Sequence, residues 1–173
     1  MPKTLAEAES SVEDFLVEAA DCASSGNGFA AMLACFAVIG ALSEAIAGRS
    51  LATLKLFRLF VAEMDDTSGW MRAEPGSTPS PEDMARLLAQ TRHALVHQLS
   101  LPSGVVLVES LEVARTLVDS RLPSFIIGIS DFVEAVSATA RKILVKHPTL
   151  PFDPSGDDDE RGAASTYVVT EPE

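Results

Sequence analysis

Residues 80–99 read SPEDMARLLAQTRHALVHQL, and this stretch decides what kind of chain surrounds it. Ser80 stands as an N-cap, Pro81 occupies the first helical position where its missing N–H costs nothing, and Asp83 adds a carboxylate at the third. Met84, Leu87, Leu88, Thr91 and Leu95 then fall on one stripe at helical spacing, which predicts an amphipathic helix running to about Leu99. The LPSG sequence at 101–104 ends it.

Working outward toward the N-terminus, the same 3.6-residue period recurs. Thr4 and Glu7 have the form of a capping box. Leu5, Ala8, Val12, Phe15, Leu16 and Ala19 follow at helical spacing, predicting a first helix that ends near Ser24. The run from Phe29 to Leu42, FAAMLACFAVIGAL, is apolar on every face. Its fourteen residues fall short of the roughly 20 that a bilayer span needs, so a helix at the centre of a bundle is expected and not a membrane segment. The many Ala and Gly residues in it permit close approach of a neighbouring helix or a second protomer. GNG at 26–28 punctuates the chain before this helix; Gly48 is a C-cap and Ser50 a new N-cap after it. Leu51, Leu54, Phe57, Leu59, Phe60 and Val61 predict a third helix stopping near Asp65. Residues 66–80, DTSGWMRAEPGSTPS, read as a flexible loop whose large anchor is Trp70.

Toward the C-terminus, GVVLVES at 104–110 is β-branched enough for a short strand, and SFIIGIS at 124–130 is expected to pair with it as a hairpin. Residues 111–119 fit a strand extension or a helical turn equally well. Ser130 or Asp131 is expected to cap a last helix through Phe132, Val133, Val136, Ala140, Ile143 and Leu144. Arg141, Lys142 and Lys146 suit the negative end of its dipole. The expected fold is therefore mainly α: an antiparallel up-and-down helical bundle over residues 1–147 with a small β-hairpin insert, then an acidic, disordered tail over 148–173.

Charge and composition narrow the function. The chain has 173 residues and a net charge of −12, with 47% hydrophobic and 22% charged residues, so it can bury a core. In the tail, seven acids against Arg161 leave −6, half of the total. Residues 80–147 hold seven acids and seven Lys or Arg, so that half is neutral and carries no basic nucleic-acid footprint. Cys22 and Cys35 lack CxxC spacing and read as reduced thiols. The N-terminus does not resemble a signal peptide, and a cytoplasmic location is expected. There is no phosphate loop and no GxSxG serine, so no nucleotide cofactor or serine hydrolase is implied.

The segment that suggests chemistry is RHALVH, residues 92–97. With Arg92, His93 and His97 it resembles the HEPN superfamily of helical proteins. Ribonuclease members of that superfamily carry Arg, a polar residue, three further residues and a His late on a core helix. The resemblance implies metal-independent RNA cleavage of a toxin or defence type. His97 would handle a proton at the ribose 2′-hydroxyl or the leaving oxygen, Arg92 would steady the phosphate, and His93 would support. It also implies a homodimer that brings two motifs together, with a protein antitoxin or partner as a further expectation. Imidazole and guanidinium suit these roles, the one titrating near neutrality and the other matching phosphate oxygens with a planar fork of donors. Five residues of helix place Arg92 and His97 about 140° apart, whereas His93 and His97 share a face.

The same three residues, near a helix C-terminus, also fit a purely structural role in satisfying free carbonyls and the dipole. A non-catalytic dimerisation or adaptor protein is the competing reading. His93 and His97 lack a third ligand and the HExxH glutamate, so no resident metal is expected.

Overall fold

The computed structural model describes residues 5–65, 69–73, 77–114 and 125–147. Helix α1 spans Leu5–Ser24, α2 Gly28–Ala47 and α3 Thr53–Glu63; strand β1 (Met71–Ala73) precedes α4 (Pro81–Gln98). Strand β2 (Val105–Val108), the short α5 (Leu111–Ala114), strand β3 (Phe125–Gly128) and α6 (Ile129–Lys146) complete the order. The Thr4 cap and the acidic tail lie outside the described residues.

Helix α2 is the centre of the fold because it alone is apolar all round. Helices α1, α3, α4 and α6 pack on it, and ten of its twenty residues are buried. It ends at Ala47 with Gly48 as its C-cap, as expected, but the expectation that it is too short for a bilayer is corrected: it runs on through Ser43 and Glu44 and is long and apolar enough to cross a membrane by length and composition alone. The neighbours wrapped around it make it a core helix here. Asn27 caps its start by accepting from Ala30 N at 3.3 Å, and Gly48, at φ 65°, closes its end in the left-handed region that a Cβ disfavours.

Aromatic side chains knit the helices together. Phe36 of α2 meets Phe57 of α3 edge-on at 5.3 Å, and Trp70 lies 4.9 Å from Phe132 of α6. Phe57, Phe60, Trp70 and Phe132 are all fully buried, and each such side chain contributes on the order of 1.5–3 kcal/mol of hydrophobic stabilisation. On α1, Val12, Leu16 and Ala19 face this core. Phe15, expected among them, is exposed instead, because the stripe that meets α2 and α6 is narrower than the apolar pattern.

Four expectations are corrected. The β-hairpin insert is a three-stranded mixed sheet in the order β1-β3-β2. β2 and β3 run parallel from Val105↔Phe125 to Val108↔Gly128, so they are not the two arms of a hairpin. The presumed loop at 66–80 contributes Trp70 to the core and β1 to the sheet, antiparallel to β3 from Met71↔Ile127 to Ala73↔Phe125. Ser50 does not cap α3: its hydroxyl donates to Glu44 Oε1 at 3.0 Å, and Ala52 holds the cap position without a side-chain hydrogen bond.

Neither Ser130 nor Asp131 caps α6, since β3 runs straight into it through Gly128. Ser130 N instead donates to Glu109 O at 3.0 Å, and Asp131 Oδ2 accepts from Leu111 N at 2.6 Å, pinning Glu109 and Leu111 to the first turn of α6. The unsettled residues after Ser110 begin with one helical turn, α5.

Candidate functional site

Helix α4 presents its last two turns to a groove. Its start follows the sequence closely: Ser80 Oγ accepts from Asp83 N at 3.1 Å and Pro81 follows the cap. Met84, Leu87, Leu88, Thr91 and Leu95 bury its apolar face, mainly against α3. That packing fixes the rotation of the helix, and with it the outward direction of Arg92, His93, Val96 and His97.

Arg92 is half-buried, and its Nη1 donates to Thr53 Oγ1 at 3.3 Å, tying α4 to the first residue of α3. No carboxylate pairs with it among the described residues. His93 and His97 are exposed, with ring centres 4.6 Å apart and planes tilted by 51°. Thr53 and Leu54 of α3, Arg92, His93 and His97 of α4, and Pro102 line one depression of about 570 Å³. Arg92 and His97 thus border the same hollow even though they stand about 140° apart around the axis. It is broad enough to cover that arc, and Ala89, Val96 and His93 project between them.

Its electrostatics are one-sided. One guanidinium and two imidazoles line it, and no Asp or Glu is among the described residues of the lining, in a chain whose net charge is −12. The N-terminus of α3, which carries no acidic residue in its first turn and no side-chain cap, adds the positive end of a helix dipole beside Thr53. The C-terminal carbonyls of α4 act in the opposite sense near His97. An anion is therefore best placed toward Thr53 and Arg92, with the imidazoles at its flank.

Sequence reading identified Arg92, His93 and His97 but missed Thr53 and Leu54. The N-cap expected at Ser50 lies two residues further on, at Ala52, and the pairing of Arg92 with Thr53 spans 39 residues. Among the described residues, no group of three or more His, Cys, Asp or Glu is placed to hold a metal ion. Of the two cysteines, both free, Cys35 is buried and Cys22 half-buried; burial pushes the Cys35 thiol up to about 12, which keeps it protonated and unreactive. No family model matches the chain, and no curated protein or solved structure matches it either.

Proposed function

We propose that the chain is a metal-independent endoribonuclease of the HEPN type, with its helices in the antiparallel up-and-down order of that fold. In this reading it is a cytoplasmic homodimer of toxin or defence character, held in check by a protein partner. The observation that carries the reading is the lining of the groove: Arg92, His93 and His97 gathered with no carboxylate among the described lining residues, on a protein of net charge −12. A volume of about 570 Å³ accommodates a phosphodiester with its flanking ribose. The guanidinium steadies the phosphate oxygens, His97 exchanges a proton with the 2′-hydroxyl or the leaving oxygen, and His93 supports the neighbouring ring. The RNA supplies the nucleophile, so the reaction balances without a cofactor. The homodimer supplies a second copy of the groove, which offsets the wide angle between Arg92 and His97 within one protomer.

The test is cleavage of a mixed-sequence RNA in excess EDTA by the wild type, Arg92→Ala and His97→Ala, each checked for folding. Cleavage by the wild type and a loss of about 10²-fold or more in each variant is expected, the size of a removed acid–base or phosphate-binding group. Equal activity in all three would refute the assignment. A second reading is a non-catalytic adaptor, favoured by the exposed apolar side chain of Val96 (50%) in the lining of the groove and that of Leu99 (80%) at the end of the same helix. It predicts that Val96→Asp abolishes partner capture and that no form cleaves RNA.

A further inference from the structure

We propose that His93 and His97 form a two-imidazole clamp for a late first-row divalent metal ion, of the Ni²⁺, Cu²⁺ or Zn²⁺ class, held on the outer face of the last turns of α4. The clamp stands independently of RNA cleavage, because it needs only the two rings and the helix that carries them.

Three observations converge on it. The rings are one turn apart on the same face, their centres 4.6 Å from each other, and both are exposed. Bonds of 2.0–2.1 Å to two neighbouring coordination positions require donor nitrogens roughly 3 Å apart, which rings at this spacing reach by side-chain rotation alone. The two donors are both imidazole nitrogens, and no acidic residue is among the described residues of the lining. Such a set prefers Ni²⁺, Cu²⁺ and Zn²⁺ and gives Mg²⁺ or Ca²⁺ no oxygen ligands to hold. Finally, the rings sit toward the C-terminal end of α4, where the unsatisfied carbonyls make the helix end negative, which favours a cation. Water completes the coordination sphere, so the ion exchanges freely and is distinct from a resident structural metal.

Two consequences follow from the geometry. An ion that bridges positions i and i+4 binds only where α4 is helical, so it raises the thermal stability of the fold in proportion to its occupancy. The bridged imidazoles also lose the lone pairs they would use toward any ligand in the groove, so metal binding and anion chemistry at His97 exclude each other.

The experiment is calorimetric titration of Ni²⁺ into the full chain near neutral pH, paired with thermal unfolding at saturating Ni²⁺. One equivalent is expected to bind and to raise Tm. His93→Ala and His97→Ala should each weaken binding by about tenfold or more, because one ring alone makes no chelate. His147→Ala, which changes the remaining histidine, should leave affinity and Tm shift intact. Binding that survives in His93→Ala, or that disappears in His147→Ala, overturns the clamp, as does a wild-type titration without heat or Tm shift. Since no step involves RNA, an inactive groove leaves these readouts untouched, and a failed clamp leaves the cleavage assay in EDTA untouched.

Discussion

Leu99 ends α4 with φ 50°, the only non-glycine residue in the left-handed region among those described, and its side chain is 80% exposed. A Cβ in that conformation costs about 1–2 kcal/mol, and little packing is gained in return. Leu99→Gly is expected to raise unfolding stability by about 0.5–1 kcal/mol in urea denaturation, the residual after glycine's extra chain entropy. Destabilisation would mean that the Leu99 side chain gains more from packing on the fold than its left-handed backbone costs. Gly128 presents the opposite case. A Cβ there would overlap the Asp131 carboxylate and lie 2.7 Å from Leu111 N, so Gly128→Ala should break the link from α6 to α5 and cost about 1–3 kcal/mol. At Cys35, a thiol raised to about 12 by burial should resist a disulfide reagent at pH 8 until the protein unfolds, while half-buried Cys22 reacts first. Simultaneous reaction of both in the native protein would contradict the core position of Cys35.

Helices were more legible than strands, for reasons visible in particular residues. The start of α4 could be read from Ser80, Pro81 and Asp83 because a cap is a local event, and its buried face could be read from the spacing of Met84, Leu87, Leu88, Thr91 and Leu95. The sheet could not. Val105–Val108 and Phe125–Gly128 announce extended structure by composition, but direction and partner depend on how strands distant in sequence are brought together and on β1, three residues hidden in a turn-rich segment. Likewise the three polar residues of α4 could be picked out, whereas Thr53, brought to them by the α3–α4 packing, could not. That packing also has a pH signature. Arg58 Nε donates to Glu82 Oε2 at 2.8 Å and Arg86 Nε to Glu82 Oε1 at 3.0 Å, and the Arg58 hydrogen bond, the largest cause, holds the Glu82 carboxyl below its usual range. A depressed folded-state value means that the stabilisation is present above the unfolded glutamate value and is lost as pH falls through the folded one. The stability difference between wild type and Glu82→Gln should therefore be steady at neutral pH and shrink on acidification through the carboxylate range. A difference that grows in acid would contradict the pairing.

For the molecule as a whole, α2 is the axis, and the aromatic contacts of Phe36, Phe57, Trp70 and Phe132 connect it to α3, the sheet and α6. Trp70, the single tryptophan, is fully buried, so native emission should be blue-shifted and should move to the red in one transition with helical circular dichroism. Phe132→Ala should cost about 3–5 kcal/mol and shift that transition accordingly. On the groove side, the same architecture leaves Arg92, His93 and His97 at the surface of a molecule that is otherwise acidic, and the central claim is that they act on the phosphodiester of RNA through its own 2′-hydroxyl. The most direct measurement compares an RNA oligonucleotide pool with its 2′-O-methylated counterpart, both in EDTA with the wild-type chain. The account predicts cleavage of the RNA, with the methylated pool left whole. Cleavage of both pools, or of neither, would contradict it.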